Sequence, residues 1–359
     1  MTFPVANMPV SPMVAASART AVLTPNGRAL AFTRLGFGGA PLGNMNRALA
    51  EDPAEATVTA AWDAGLRYFD TAPLYGHGLS ETRIGRALAG RPRDDFLVST
   101  KVGRVLETCA PGEEAAGIYH ATPALKVRFD YSREGVLRSL EASLARLGLD
   151  RVDILYVHDL ERRAHGEAYE THWDALTRGG GWRALDELRA AGTVAAIGLG
   201  TNETGACERL LAELDPDLFL LAGRYTLLEQ APLAGLLPAC ERRGVGIVIG
   251  GPFNSGVLAR QGGSYDYAAA PPEVLARTRR LAAVCARFGV ALPAAALQFA
   301  AAHPAVASVI PGAQTAEEVA ANVALLDAPI PAALWTALKD AGLIEAAAPV
   351  PTEEATAPC

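Results

Sequence analysis

The sequence predicts an α/β protein: a (β/α)8 barrel with an N-terminal β-hairpin and no Rossmann domain. Three observations predict it. Between about residues 34 and 326, eight short apolar, β-rich runs alternate with stretches of helical period. At 359 residues the chain has the length of one such barrel with short extensions. The alternative, a doubly wound sheet, needs an early G-x-G-x-x-G. The nearest candidates, 36–41 and 198–203, end in Pro41 and Glu203 instead.

The elements follow in order. Asn26-Gly27 between the β-rich runs 21–23 and 29–33 is a hairpin signal. Strand one is read over 34–39 with its helix at 54–64, strand two over 67–70 with helix 80–89, and strand three over 96–100. Its helix, 132–147, carries Val136, Leu137, Leu140, Leu144 and Leu147 on one side. Strand four is 151–157 with helix 182–191, strand five 194–199 with 203–213, and strand six 218–221 with 233–243. Strand seven is 245–249 with two helices, 273–288 and 293–301; strand eight is 307–310 with helix 316–326. No repeat, linker or composition shift divides the chain, so 19–344 is expected to be one barrel domain. Residues 1–18 and 345–359 are read as a disordered extension and tail.

Composition excludes several functions. Half of the residues are hydrophobic and the net charge is −7, without a basic run that could contact phosphates, so nucleic acid is not an expected partner. No stretch approaches the ~18 apolar residues of a membrane span. Residues 1–18 lack a charged start and are broken by Pro4, Pro9 and Pro12, unlike a signal peptide. Cys109, Cys207, Cys240, Cys285 and Cys359 are far apart, as in isolated thiols of a reducing cytoplasm. There is no GxSxG elbow, HxH, HExxH or cysteine cluster, so no metal is expected.

In a barrel of this class the chemistry sits where strands end. Past strand two lies Asp70-Thr71-Ala72-Pro73-Leu74-Tyr75-Gly76. Strand three ends in Ser99-Thr100-Lys101, and strand four in Tyr156-Val157-His158-Asp159. Singly, Asp70 could cap a turn, Tyr75 could pack in a loop, Lys101 could be a solvated strand end, and His158 a satisfied rim histidine. Together they form a proton-handling set. A phenol titrates near ~10, an adjacent ammonium favours its phenolate, and a carboxylate can hold that ammonium in place.

Residues 65–76, followed by Ser80-Glu81-Thr82-Arg83-Ile84-Gly85, resemble the signature of the aldo-keto reductase superfamily. Lys101 within Ser99-Thr100-Lys101-Val102-Gly103, and His158 after Asp153-Ile154-Leu155-Tyr156-Val157, resemble its other catalytic positions. Residues 222–228, 250–256 and the pair His158-Asp159 resemble the aldose 1-dehydrogenase branch (L-fucose, D-threo-aldose and L-galactose dehydrogenase type), near which pyridoxal 4-dehydrogenase also falls. The resemblance implies a nicotinamide cofactor across the barrel mouth. Tyr75 would move the proton, Lys101 and Asp70 would tune it, and His158 would orient the substrate oxygen. In the oxidative direction an aldose would lose hydride from C1 and give a lactone.

The same resemblance implies the cofactor residues. Asn202 is expected at the carboxamide. Gly251, Pro252, Phe253, Asn254, Ser255, Gly256 and Leu258 form the stretch whose backbone suits the pyrophosphate. Pro311, Gly312, Ala313, Gln314, Glu318 and Asn322 resemble the adenosine-ribose site. Gly250 and Ala222 depart from the aromatic and Gln often found at their positions. Gly312, Ala313 and Glu318 offer no cation for a 2′-phosphate, so NAD is expected over NADP. Two long connections, 103–131 and 159–181, read as lids or specificity loops whose Tyr119, His120, Arg128, Asp130, His165, Tyr169, His172 and Trp173 could cover a polyol. The expected function is NAD-linked oxidation of an aldose. The alternatives are an aldehyde reductase or dehydrogenase for pyridoxal-like carbonyls, and a non-catalytic, cofactor-binding regulatory barrel. The partner is a small molecule in each case; the oligomeric state stays open.

Overall fold

The computed structural model describes residues 15–24, 27–260 and 262–351. Strands β1 (Arg19–Leu23) and β2 (Ala29–Thr33) pair antiparallel, with Arg19 opposite Thr33 and Leu23 opposite Ala29. The turn residues 25 and 26, including Asn26 of the hairpin signal, lie outside the described residues. Eight parallel strands follow: β3 (Phe37–Gly38), β4 (Tyr68–Asp70), β5 (Leu97–Val102), and, past a hairpin of β6 (Arg104–Thr108) and β7 (Leu125–Phe129), β8 (Ile154–His158). Then come β9 (Ala196–Thr201), β10 (Leu218–Ala222), β11 (Gly246–Gly250) and, past a short hairpin of β12 (Ser264–Tyr265) and β13 (Ala268–Ala269), β14 (Val306–Ile310).

The order around the sheet is β3-β4-β5-β8-β9-β10-β11-β14. The two ends meet: Gly36 N donates to Val309 O (2.9 Å), Val309 N to Arg34 O (2.9 Å) and Gly38 N to Pro311 O (3.1 Å). These bonds close the barrel. Regular strand geometry in the first strand covers only Phe37–Gly38 of the expected 34–39. Isolated bridges at Leu35–Val309 and Gly38–Gly312 continue the pairing on either side.

Strand side chains alternate inward and outward. On β8, Ile154 and Tyr156 join the inner core, while Leu155 and Val157 join the layer beneath the helices; Leu218 and Leu220 alternate with Phe219 and Leu221 on β10 in the same way. Val22, Leu30 and Phe32 of the hairpin complete the inner core and plug the end of the barrel where the strands begin. The helices ring the outside: α1 (Glu51–Asp63), α2 (Leu79–Leu88), α3 (Arg133–Leu147), α4 (Arg162–His165), α5 (Tyr169–Thr177), α6 (Gly181–Ala190), α7 (Thr204–Glu213), α8 (Leu236–Arg243), α9 (Pro272–Arg287), α10 (Leu292–Ala301) and α11 (Ala316–Asp327). None of the described helices is by itself long and apolar enough to cross a membrane.

The structure departs from the sequence reading in three places. A further helix, α12 (Ala332–Asp340), follows α11, burying Leu334, Trp335 and Leu338 on one face behind Pro331. Connection 159–181 is mostly helical (α4 and α5) rather than an open loop. Tyr169 and Trp173 of α5 are buried in the outer core, and Trp173 Nε1 donates to Glu213 Oε2 (2.9 Å), so neither covers the barrel mouth. At the termini, Ala16 and Ala348 are buried against the barrel, and Ala16 N donates to Asp327 Oδ1 (2.7 Å). The packed chain therefore includes 15–18 and 345–351; 1–14 and 352–359 lie outside the described residues.

Candidate active site

Asp70 ends β4, Lys101 sits near the end of β5, and His158 ends β8. These strands are neighbours in the barrel. Asp70 shares the inward parity of Tyr68, Lys101 that of Ser99, and His158 that of Tyr156. The three therefore form the inward layer nearest the mouth. Lys101 Nζ lies 3.0 and 2.8 Å from the two Asp70 oxygens and donates also to Thr71 O (2.8 Å). Ser99 Oγ donates to Asp70 Oδ1 (2.6 Å) and lies 2.9 Å from the Tyr68 hydroxyl. Both charges are almost completely buried, 2% exposed for Asp70 and 1% for Lys101. Burial lifts the Asp70 carboxyl above its ordinary range and the Lys101 ammonium opposes that lift. Space for the lysine comes from β9: a Cβ on Gly200 would stand 3.3 Å from Lys101 Cε.

Tyr75 lies in the loop between β4 and α2. That loop is placed by a backbone contact that tolerates no side chain. A Cβ on Gly76 (φ +65) would meet Gly43 O at 2.3 Å, and one on Gly43 would meet the Tyr75 carbonyl carbon at 2.4 Å. The half-buried Tyr75 ring stands edge-on to His158, centroids 5.8 Å apart at 90°, and Lys101 Nζ is 4.7 Å from its centroid. All four sequence-predicted residues thus meet at one rim. Burial, then the charge of Asp70, pushes the Tyr75 phenol well above its ordinary value.

His158 is buried and held neutral, since burial and then the cations Arg104 and Lys101 push its pKa well below the ordinary histidine value. Its Nδ1 is buried and has no hydrogen-bond partner among the described residues. Behind it, the Tyr131 hydroxyl donates to His158 O (2.8 Å) and lies 2.8 Å from His165 Nε2. His165 packs on His172 (4.4 Å) and edge-on to Phe129 (4.6 Å).

The cofactor candidates occupy the other half of the rim, past β9, β10, β11 and β14, which are consecutive in the barrel. Asn202 follows β9; its Nδ2 donates to Ala222 O (3.1 Å), and its side chain meets the Tyr267 phenol. After β11, left-handed residues at Gly251, Asn254, Ser255 and Gly256 coil the chain into tight turns. The N–H groups of Phe253 and Ser255 have no acceptor among the described residues. Such turns with free N–H groups fit a pyrophosphate. Pro252 and Leu258 are buried, and Leu258 N closes a turn on Phe253 O, so they shape this loop. Asn254 is a brace, with Nδ2 on Gly223 O (3.0 Å) and Oδ1 accepting from Thr226 (2.5 Å).

After β14, Pro311, Ala313 and Asn322 are buried and Gly312 is exposed. The Gln314 side chain also braces: Nε2 donates to Pro41 O and Met45 O, and Oε1 accepts from Arg47 (2.8 Å). Thr315 and Glu318 cap α11 reciprocally. Glu318 N donates to Thr315 Oγ1 (3.2 Å), and Gln314 N to Glu318 Oε2 (2.7 Å). A carboxylate therefore occupies this helix N-terminus.

A family model described as "Aldo/keto reductase family" matches residues 34–342. The chain belongs to the aldo/keto reductase family. It is 44% identical over 327 residues to pyridoxal 4-dehydrogenase of Microbacterium luteolum, covering 88% of this chain and 95% of the relative. It is 43% identical over 323 residues to D-threo-aldose 1-dehydrogenase of a Pseudomonas species, with the same coverage. The solved holo form of an aldo-keto reductase from Bacillus halodurans superposes with a TM-score of 0.68 at 25% identity, covering 94% of this chain and 99% of that one. This aldo/keto reductase is accordingly a (β/α)8 barrel oxidoreductase.

Of the loop residues expected to cover a substrate, Tyr119 does come to the site, its ring 6.3 Å from Tyr75. Arg128 and Asp130 instead pair with each other (3.1 Å), and His120 is exposed. Sequence reasoning missed Arg104, on the β6–β7 hairpin, and Tyr267, at the tip of β12–β13. Asp266 of that tip pairs with Arg163 (2.5 Å) and Arg224 (3.1 Å). Arg224 is held there and by Asn202 O (2.6 Å). The sequence carried little signal for this hairpin: Ser264, Ala268 and Ala269 are not strand-formers, and its turn places Asp266 and Tyr267 at φ of +53° and +65° rather than a glycine. Among the described residues no three His, Cys, Asp or Glu side chains are grouped to hold a metal.

The buried His158 and the half-buried His165 and His172 make stability pH-dependent. His165 is depressed to about 4, chiefly by burial, and His158 and His172 are lowered too. The unfolded chain therefore takes up these protons first, near ~6.5. Their contribution is present above about pH 6.5 and is lost as the pH falls toward 4. Thermal scans between pH 7 and 4.5 should show Tm falling in the wild type and falling less in His165→Gln. Equal losses in the two would contradict the assignment.

Proposed function

We propose that this chain is an NAD-dependent dehydrogenase that oxidises the hemiacetal carbon of a cyclic substrate, an aldose at C1, to the lactone. The observation that carries the reading is the meeting of Tyr75, Lys101, Asp70 and His158 at one end of the barrel. Relatives named for D-threo-aldose and for pyridoxal support it. Both molecules carry an aldehyde that closes onto one of their own hydroxyls, so one chemistry serves both.

The bound nicotinamide would supply the hydride acceptor. Tyr75 Oη takes the proton of the anomeric hydroxyl as C1 gives up hydride. Lys101 favours the phenolate that must form to receive it, and Asp70 holds Lys101 in place. His158, being neutral, orients the substrate oxygen by a hydrogen bond rather than by charge. Burial, by holding Tyr75 protonated, equally suits the reverse direction, in which the phenol is the acid that a carbonyl reductase needs. This favours the second reading, a reductase of pyridoxal-like or other carbonyls, whenever the reduced cofactor prevails.

For the cofactor, Asn202 would serve the carboxamide. The backbone at Gly251, Phe253, Ser255 and Gly256 would serve the pyrophosphate, with Pro252, Asn254 and Leu258 fixing that backbone. Gly312, Gln314 and Glu318 would face the adenosine ribose, with Pro311, Ala313 and Asn322 behind them. Glu318 is already the anionic cap of α11 and lies where a 2′-phosphate would seek a cation, which supports NAD over NADP. The described cysteines Cys109, Cys207, Cys240 and Cys285 are free thiols, in keeping with a cytoplasmic enzyme.

The test is kcat/KM for a panel of aldoses and pyridoxal, with NAD⁺ and NADP⁺ side by side. Tyr75→Phe should lower kcat by about 10²-fold or more while the NAD⁺ KM stays within about twofold. More than about a tenth of wild-type turnover would remove Tyr75 from the proton step. Tight cofactor binding with no turnover on any substrate would favour the regulatory barrel. Glu318→Arg should raise kcat/KM with NADP⁺ by roughly tenfold or more. A wild-type preference for NADP⁺ would overturn the cofactor assignment.

A further inference from the structure

One charged pair at the rim lies outside the set Asp70, Tyr75, Lys101 and His158. Asp159 follows His158 directly and has a left-handed backbone (φ +45°), a conformation that costs free energy in any residue with a side chain. Its N–H donates to Gly200 O (2.8 Å) and its carbonyl accepts from Glu161 N (2.9 Å), which fixes the turn. The turn carries the carboxylate back over the barrel mouth, where Oδ2 stands 3.4 Å from His158 Nε2. The Asp159 charge acts on the phenols of Tyr75, Tyr119, Tyr131 and Tyr267, so it stands among the aromatic walls of the site.

Its partner is Arg104, and the pair is only half made. Arg104 NH2 donates to Asp159 Oδ2 (2.7 Å), a single-point contact rather than a two-pronged one. Among the described residues no donor reaches Asp159 Oδ1, and Arg104 Nε is buried without a partner. A buried donor and a largely buried acceptor thus belong to one ion pair, each with capacity left over. Buried polar groups of this kind normally have partners. A ligand bearing hydroxyls, which both donate and accept, supplies both.

We propose that Asp159, seated by Arg104, binds the hydroxyl next to the reacting carbon and so selects a polyhydroxylated cyclic hemiacetal as substrate. The inference rests on the hemiacetal reading given above. Because Asp159 adjoins the residue assigned to the C1 oxygen, the hydroxyl within its reach is that on C2. An aldose donates its C2 hydroxyl to Asp159 Oδ1 and accepts at the same oxygen from Arg104. Pyridoxal carries in the corresponding direction an acidic phenol, which at neutral pH is ionised and repelled by a carboxylate. The Tyr119 and Tyr267 rings offer flat surfaces for the C–H face of a sugar.

The experiment is steady-state kinetics of the wild type and Asp159→Asn with three substrates: the best aldose of the panel, its 2-deoxy counterpart, and pyridoxal. We expect the wild type to prefer the aldose to its 2-deoxy form by about 10- to 100-fold in kcat/KM, as for a hydrogen bond to a charged group. Asp159→Asn should lose that factor on the aldose, mainly through KM. It should change little on the 2-deoxy sugar, improve on pyridoxal, and keep the NAD⁺ KM. Equal losses on both sugars, or no loss on either, would overturn the inference. A wild type that oxidises pyridoxal but no aldose would overturn it while leaving the hemiacetal chemistry standing; one that oxidises neither would overturn both. If Asp159→Asn does not fold, the wild type decides alone: less than about threefold preference for the aldose over its 2-deoxy form contradicts the proposal.

Discussion

The buried ion pair of Asp70 and Lys101 is the constraint on which the mouth of this barrel is built. Taking two charges out of water costs several kcal/mol per ion, and apolar residues of similar volume are often as stable or more so. The chain nevertheless surrounds the pair with what it needs. Ser99 and the backbone at Thr71 complete the hydrogen bonds, Tyr68 supports Ser99 from below, and Gly200 leaves room for the lysine stem. Such an arrangement is poor value as a fold stabiliser. It makes sense as a means of fixing an ammonium against the ring of Tyr75.

From that pair the rim divides into two halves by strand order. The ends of β4, β5 and β8 hold Asp70, Lys101 and His158, with Tyr75 in the loop after β4, and the ends of β9, β11 and β14 hold the groups proposed for a dinucleotide. Short loops at Gly76 and Asp159 turn tightly because their backbones adopt left-handed conformations, and each delivers a side chain to the boundary between the halves. The hairpins β6–β7 and β12–β13 reach over the mouth and bring Arg104 and Tyr267 toward it. A substrate placed at that boundary meets a phenol, a neutral imidazole and a half-satisfied carboxylate within one small volume.

Much of this was legible in the sequence. Short apolar β-rich runs and period-3.6 stretches located the eight strand–helix units, because the barrel buries both faces of every strand and one face of every helix. Asp70, Lys101 and His158 were legible because they stand at strand ends, and Tyr75 because it follows Asp70 in a loop that resembles the family signature. The rest depends on contacts distant in sequence. α12 escaped because it lies beyond the eight-fold alternation, although Leu334, Trp335 and Leu338 do mark an apolar face. Tyr169 and Trp173 looked like lid residues until α5 turned them into the outer core. Asn254 and Gln314 have the polarity of ligand contacts, yet their amides serve backbone carbonyls at Gly223, Pro41 and Met45. Arg104 and Asp159 are 55 positions apart, and only the fold makes them a pair.

The central claim is that the Lys101 ammonium, held by Asp70, favours the Tyr75 phenolate during proton transfer. The pH–rate profile for oxidation in Lys101→Met, set against the wild type, tests it most directly, because the position of a limb on the pH axis is independent of how much activity the variant keeps. Losing a cation 4.7 Å from the phenol ring should move the ascending, low-pH limb, where the phenolate forms, toward higher pH. If Asp70 takes up a proton in the variant, its own upward push on the phenol is lost as well, which shortens the shift. A limb that moves up by about one pH unit or more supports the account; a profile that superposes on the wild type, or moves down, contradicts it.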